Sequence, residues 1–189
     1  MKTDYIPTHQ HLAATFEVEQ IKSWVLERLN GRVLNACAGP TELEYGGEII
    51  RNDIDDSVTA DTHVDVARLA AEYPTESFDT ILFDPPWSMY QANMRYDGNH
   101  VTKGNIAIRM DDLPQEIKRD KTQVGHARLA KDGFDHLLRP SGSVIQLSYN
   151  ATCMPRRLQY EQVERVMFDP LGEGKTLIGS VDKKVQTKL

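Results

Sequence analysis

Cysteine, long apolar runs and excess positive charge are all scarce in this sequence of 189 residues. The two cysteines, Cys37 and Cys153, are too few for a disulfide framework, so we expect reduced thiols in a cytoplasmic protein. No apolar run approaches the roughly 18 residues that a membrane span requires. The opening residues MKTDYIPTHQ also lack the apolar core of a secretory signal. We therefore expect neither secretion nor a membrane partner.

The balance of charge is mildly acidic, with a formal net charge of −6. This argues against a basic nucleic-acid coat, although a few Lys and Arg that face phosphates can still supply affinity. The six histidines, including His9 and His11, show no ligand set, and we expect no metal. The content of 40% apolar and 26% charged residues is ordinary for a globular chain. We expect a single domain over residues 1–189.

Apolar periodicity predicts strands that alternate with helices. The run FDTILF at 78–83 is almost wholly apolar, as a strand buried on both faces of a parallel sheet requires. This alternation indicates a doubly wound α/β domain, in which ligands bind at the carboxyl ends of the strands. The predicted strands cover 32–36, 47–53, 62–66, 78–83, 142–150, 163–168 and 176–185, and the predicted helices cover 14–30, 67–74 and 123–140.

Small and acidic residues follow the predicted strands at their carboxyl ends. Gly39 turns the loop NACAG, where the missing side chain lets the backbone approach a ligand, and an ordinary turn is an equal alternative. Asp53, with Asp55 as second choice, can accept hydrogen bonds from both hydroxyls of a ribose, or can cap a helix. Asp65 can face an adenine amino group, or can be a solvated carboxylate at a strand end.

The segment DPPW at 84–87 offers the most distinctive chemistry. Proline cannot donate to a sheet ladder, so the strand must stop at Asp84. Pro85 and Pro86 stiffen the backbone and fix the direction of the Pro85 carbonyl, and Trp87 adds a flat aromatic face. A carboxylate, a rigid carbonyl and an aromatic plane form a receptor for a planar ring that bears an exocyclic NH₂. The alternative is a tight turn beside a core tryptophan.

DPPW after a buried strand resembles the catalytic motif of S-adenosylmethionine-dependent amino methyltransferases, which modify adenine N6 or cytosine N4. The segment VLNACAG resembles the cofactor loop of that family, and it precedes the catalytic motif, as in the gamma order of these enzymes. The resemblance covers about residues 14–185. It implies a class I methyltransferase fold, which is a seven-stranded Rossmann-like sheet of order 3-2-1-4-5-7-6 with a C-terminal β-hairpin.

The same resemblance implies S-adenosylmethionine as the cofactor and the exocyclic amine of a base in DNA or RNA as the substrate, with adenine N6 favoured. It implies catalytic roles for Asp84, Pro85, Pro86 and Trp87. The residues that it implies for cofactor binding are Asn35, Ala36, Cys37, Ala38, Gly39, Asp53, Ile54, Asp65 and Asp84.

Two segments, 88–121 and 151–162, are the predicted substrate-facing insertions. Each follows a parallel strand, so we expect both to lie over the carboxyl ends of the sheet. Trp87 is predicted to stack on the base. No target-recognition domain follows the motif, so a protein partner or a second copy of the chain is expected to supply recognition. The basic residues predicted to contact substrate are Lys118, Arg119, Arg156 and Arg157.

Two other functions stay open at this point. One is methylation of a protein side-chain amide or of a small amine, although amide-modifying relatives usually carry Asn where this chain has Asp84. The other is a non-catalytic, methyltransferase-like subunit that binds nucleic acid. That alternative rests on the cofactor loop, which begins with Asn35 rather than an acid and has Gly39 as its single glycine.

Overall fold

The computed structural model describes residues 1–8, 15–86, 123–172 and 174–185, and one seven-stranded sheet runs through them. No helix in these ranges is long and apolar enough to cross a bilayer. The strands are β1 (Lys2–Pro7), β2 (Val33–Asn35), β3 (Ile49–Arg51), β4 (Phe78–Phe83), β5 (Leu138–Ser148), β6 (Tyr160–Asp169) and β7 (Leu177–Lys184). The α-helices are α1 (Glu19–Leu26) and α2 (Gln123–Leu137), and short 3-10 helices occupy Thr15–Glu17, Val66–Ala71 and Arg156–Leu158.

The sheet has the order β1-β6-β7-β5-β4-β2-β3. Strands β3, β2, β4 and β5 are parallel, and β7 is antiparallel to both of its neighbours. This confirms the predicted α/β sheet with a C-terminal hairpin, here β6 and β7, and the strand predicted over 78–83 coincides with β4. The carboxyl ends of β2, β3, β4 and β5 therefore meet on one side of the sheet, which we call the strand-end rim. Its last strand residues are Asn35, Arg51, Phe83 and Ser148.

The sheet differs from the prediction at both margins. Residues 62–66 form no strand, and their backbone pairing with β3 is reduced to one parallel bridge between Asn52 and Thr62. The carboxylate of Asp65 accepts the N–H of Ala67 at 2.9 Å, so a 3-10 helix begins where a strand would continue. At the other margin, β1 pairs with β6 in parallel and has no counterpart among the predicted strands. Because Lys2 to Tyr5 and Pro7 are exposed and only Ile6 is half-buried, the sequence of β1 carries no apolar alternation.

The predicted helices are shorter in the structure than in the sequence pattern. The helix predicted over 14–30 becomes a 3-10 turn followed by α1, which ends at Leu26. The helix predicted over 123–140 ends at Leu137, because Leu138 already pairs with Phe78 of β4. The apolar residues at the end of this predicted helix are nevertheless buried, since Leu137 and Leu138 are both inaccessible to solvent.

One helix covers each face of the sheet. On one face Trp24 of α1 meets the edge of the Phe168 ring, with centroids 5.7 Å apart. On the other face Phe134 of α2 meets Phe83 of β4 in the same way at 5.0 Å. Burying large apolar rings on both faces fixes the sheet between the helices, and this fixes the loops that leave the strand-end rim.

The connection from β5 to β6 leaves the rim and turns back along the face that α2 covers. The N–H of Met154 donates to Asp182 of β7 at 2.8 Å. Strand β6 then begins at Tyr160, which is paired with Lys184, whereas Ser148 at the rim is paired with Ile178. The start of β6 therefore lies at the end of the sheet opposite to the strand-end rim.

Candidate active site at the strand-end rim

The loop after β2 is held by its backbone on both sides. The N–H of Ala36 donates to Leu82 O of β4, and the N–H of Ala38 donates to Asn52 O, each at 2.9 Å. Gly39 then turns the chain with a φ of 59°, a left-handed conformation in which a side chain would be strained. The predicted cofactor loop is thus a fixed turn between β3 and β4, and it requires its single glycine.

Asp53 follows β3 and is 6% exposed. Its Oδ2 accepts the N–H of Gly39 at 2.8 Å, and its Oδ1 accepts the N–H of Asp55 at 3.0 Å. Asp55 instead accepts the N–H and hydroxyl of Ser57, and Ile54 between them is half-buried. Asp53 rather than Asp55 is therefore the carboxylate at the loop, and each of its oxygens has a second lone pair for a further donor.

Two side chains that the sequence analysis missed also hold this loop. The amide of Asn52 donates to Ala36 O at 3.0 Å. The guanidinium of Arg51 donates to Gly39 O at 2.8 Å and pairs with Glu42 at 3.2 Å. An amide and a guanidinium at a strand end have no distinctive spacing, and only their partners, which lie 9 to 16 residues away, reveal the role.

The other predicted acids stand at neighbouring points of the rim. Asp65 is 6% exposed at the start of its 3-10 helix. Asp84, Pro85 and Pro86 are half-buried directly after β4, which ends at the residue before Asp84. Trp87 lies outside the described residues, so its predicted stacking role stays a prediction.

The pKa of the Cys37 thiol responds to the charges of three predicted carboxylates. Burial raises its pKa well above the ordinary value of a cysteine, and the charges of Asp53, Asp84 and Asp65 raise it further. Three acids from separate segments thus act on one point of the loop, and their negative potential suits a cationic ligand. No group of three or more metal-ligating side chains occurs in the part of the chain that the structure describes.

The expected position of the basic residues after β5 is wrong. Arg156 and Arg157 precede β6, so they lie at the end of the sheet opposite to the strand-end rim, where Arg157 pairs with Asp132 of α2. The cause is the backward turn of the connection after β5. Lys118 and Arg119 lie outside the described residues, and their predicted contact with substrate stays a prediction.

Comparison with known proteins identifies a fold rather than a family. No family model and no curated protein matches the sequence. Among solved structures, TrmN from Thermus thermophilus is 15% identical with a TM-score of 0.59, and the match covers 93% of this chain and 50% of that one. This chain therefore spans half the length of TrmN.

Two further structures show the same likeness. A methyltransferase homologue from Pyrococcus horikoshii is 14% identical with a TM-score of 0.51, over 85% of this chain and 64% of that one. The 1,6-didemethyltoxoflavin-N1-methyltransferase of Burkholderia thailandensis, solved with S-adenosylhomocysteine, is 12% identical with a TM-score of 0.50, over 87% and 77%. The chain has the class I methyltransferase fold.

Proposed function

We propose that this protein is an S-adenosylmethionine-dependent methyltransferase that acts on the exocyclic amine of a base in DNA or RNA, with adenine N6 favoured. The observation that carries the proposal is the placement of three acids at the rim of a class I methyltransferase sheet: Asp53 is bonded to the Gly39 N–H, Asp65 follows Val64, which is bonded to Asn52, and Asp84 directly follows β4. The rim is where open α/β sheets bind ligands.

The residues at the rim fit this cofactor chemically. Asp53 keeps lone pairs for the ribose hydroxyls while its two backbone bonds hold it against Gly39. Asp65 is the partner for the adenine amino group. Asn35 Oδ1 is buried, and no donor among the described residues reaches it, so it offers an acceptor for an ammonium group. When bound, the cofactor supplies a methyl group on a cationic sulfur, which the carboxylates around Cys37 favour.

Catalysis consists mainly of holding the amine in line with that methyl group. The lone pair of an aromatic amine is delocalised into its ring, which makes the nitrogen a poor nucleophile. Asp84 and the Pro85 carbonyl accept its two N–H bonds and so favour a pyramidal nitrogen. The Asp84 carboxylate also stabilises the positive charge that develops there. A bound cofactor would supply the methyl group and leave as S-adenosylhomocysteine, and Asp84 would take the proton that the methylated amine loses and pass it to water.

A small-amine substrate is the second candidate. It is favoured by the position of Arg156 and Arg157, which lie at the far end of the sheet and leave the described part of the rim dominated by acids. Under this alternative the chemistry at Asp84 is unchanged, and only the source of the amine differs.

The test is transfer of tritium from methyl-labelled cofactor to DNA, RNA, protein and small-amine mixtures supplied separately. We expect label in a nucleic acid with the wild-type protein and loss of at least about a hundredfold in Asp84→Ala, the scale of one electrostatic group in a transition state. Calorimetry should show that Asp84→Ala still binds the cofactor. Asp4→Ala, an exposed acid on β1, is the matched control and should retain full activity. Full turnover in Asp84→Ala, or label in small amines alone, would reject the nucleic-acid proposal.

A further inference from the structure

The side chain of Asn52 is buried and uses its whole hydrogen-bonding capacity. Nδ2 donates to Ala36 O at 3.0 Å and to Val64 O at 2.9 Å. Oδ1 accepts the Thr62 hydroxyl at 2.9 Å and the Val64 N–H at 3.0 Å. An amide has two N–H donors and two lone pairs on its oxygen, so this set saturates it.

This amide takes the place of a missing strand ladder. Both backbone groups of Val64 bond to the one amide of Asn52, as they would bond to peptide groups of a neighbouring strand. Backbone pairing between β3 and the segment that follows is reduced to the bridge of Asn52 with Thr62. Backbone bonds hold Thr62, whose N–H donates to Arg51 O at 3.2 Å and whose carbonyl accepts the N–H of Asp53 at 3.1 Å. Beyond Thr62, the Asn52 side chain continues the attachment by bonding both backbone groups of Val64.

The three segments that meet at Asn52 carry the acids and the loop of the rim. Val64 directly precedes Asp65, Asn52 directly precedes Asp53, and Ala36 directly precedes Cys37. We propose that Asn52 is the residue that positions Asp65 and the cofactor loop relative to Asp53, and that it sets the affinity for the adenosine end of the cofactor. This inference rests on the function proposed above.

Removal of the amide should loosen the adenosine end of the site while leaving Asp84 in place, since Asp84 follows β4 and is not bonded to Asn52. In Asn52→Ala, the carbonyls of Ala36 and Val64 lose their donor inside the protein, and such losses are costly. We expect the Kd for both S-adenosylmethionine and S-adenosylhomocysteine to rise by about tenfold or more. The kcat at saturating cofactor should fall by less than about threefold.

A second pair of variants keeps the test informative if Asn52→Ala does not fold. Thr62→Val removes the hydroxyl that donates to Asn52 Oδ1, whereas Thr62→Ser retains it. We expect a several-fold rise in Kd for Thr62→Val and a return toward the wild-type value for Thr62→Ser. A rise in Thr62→Ser without a rise in Thr62→Val would show that the methyl packing of Thr62, and not its bond to the amide, is what matters, and would overturn the proposal.

The matched control is the amide of Gln162 on β6, which binds Ala151 O at 2.9 Å and Asp182 at 3.1 Å, away from the rim. Gln162→Ala should lower the melting temperature without raising the Kd, and this separates positioning from general destabilisation. Unchanged Kd in the folded Asn52 and Thr62 variants, or an equal rise in Gln162→Ala, overturns this inference alone. If the wild-type protein binds neither ligand by calorimetry, the proposed function fails and the inference fails with it.

Discussion

Asp53 combines a structural and a binding role in one carboxylate. Its two oxygens hold the N–H groups of Gly39 and Asp55, which fixes the loop before any ligand arrives. Asp53→Ala removes the ribose acceptor and the anchor of the loop together. We expect it to weaken S-adenosylmethionine binding by about 1–3 kcal/mol, the cost of leaving polar groups unpaired. Isothermal calorimetry measures this directly.

Asp55→Ala is the control for that substitution, because Asp55 bonds to Ser57 within its own turn and does not touch Gly39. It should leave cofactor affinity within about 0.5 kcal/mol of the wild type, because the substitution keeps the backbone N–H that donates to Asp53 and removes only the carboxylate that bonds to Ser57. Equal losses in the two variants would show that the turn, and not the Asp53 carboxylate, carries the ribose contact.

The sequence identified the rim residues whose chemistry is visible in a short motif, and it missed those whose role depends on distant partners. A positive φ at Gly39 and a strand that stops before Pro85 both follow from local backbone rules. Asn52 follows the short strand β3 without any distinctive motif, and its partners at Ala36, Thr62 and Val64 become neighbours only in the folded chain. Local sequence patterns therefore predict the candidate reactive groups, but they do not predict the side chains that hold those groups in place.

At the scale of elements, apolar periodicity predicts the buried strands. It does not predict strands that are mostly exposed, or segments whose conformation is set by side-chain hydrogen bonds. Strand β4 is buried except at Asp79 and matches its predicted bounds. Strand β1 is exposed except at Ile6 and is paired with β6, so no pattern in KTDYIP marks it. The segment 62–66 has the composition of a strand, but Asp65 caps a 3-10 helix there.

An ion pair joins β6 to Arg28, two residues after the end of α1, and it gives a pH-dependent prediction. Arg28 donates to both carboxylate oxygens of Glu164, at 3.0 and 2.7 Å, and lies over the Trp24 ring at 4.3 Å. The bond to Arg28 is the main cause that lowers the pKa of Glu164. A lowered carboxyl pKa stabilises the fold above the ordinary pKa of the group, and the stabilisation is lost as pH falls through the lowered value.

Glu164→Gln should therefore lower the free energy of unfolding by about 1 kcal/mol at neutral pH, a value that allows for solvent screening of a partly exposed pair. The difference from the wild type should shrink as the pH falls and Glu164 becomes protonated. Urea denaturation at neutral and acid pH measures both quantities. Glu161→Gln, on the exposed side of the same strand, is the control and should show neither effect. A difference that is constant with pH would contradict the ion-pair account.

Among the described residues, the predicted cofactor-binding acids and the predicted phosphate-binding arginines lie at opposite ends of the sheet. Acidic side chains from three segments face the Cys37 loop at the rim, whereas Arg156 and Arg157 lie at the opposite end of the sheet. With a net charge of −6, any phosphate contact depends on a few basic residues near the rim. The sequence predicts phosphate contacts for Lys118 and Arg119 and also for Arg156 and Arg157. The connection from β5 to β6 places Arg156 and Arg157 at the end of the sheet opposite to the strand-end rim.

This separation predicts opposite outcomes for two double variants in binding a single-stranded oligonucleotide. Arg156→Ala with Arg157→Ala should leave the slope of log K against log salt unchanged, because these residues lie away from the rim. Lys118→Ala with Arg119→Ala should reduce the slope by roughly one unit per lost phosphate contact. Fluorescence anisotropy over a range of salt gives both slopes, and thermal melts check the loss of the Arg157–Asp132 pair. A reduced slope in the first variant would place the nucleic acid across the opposite end of the sheet, away from Asp84.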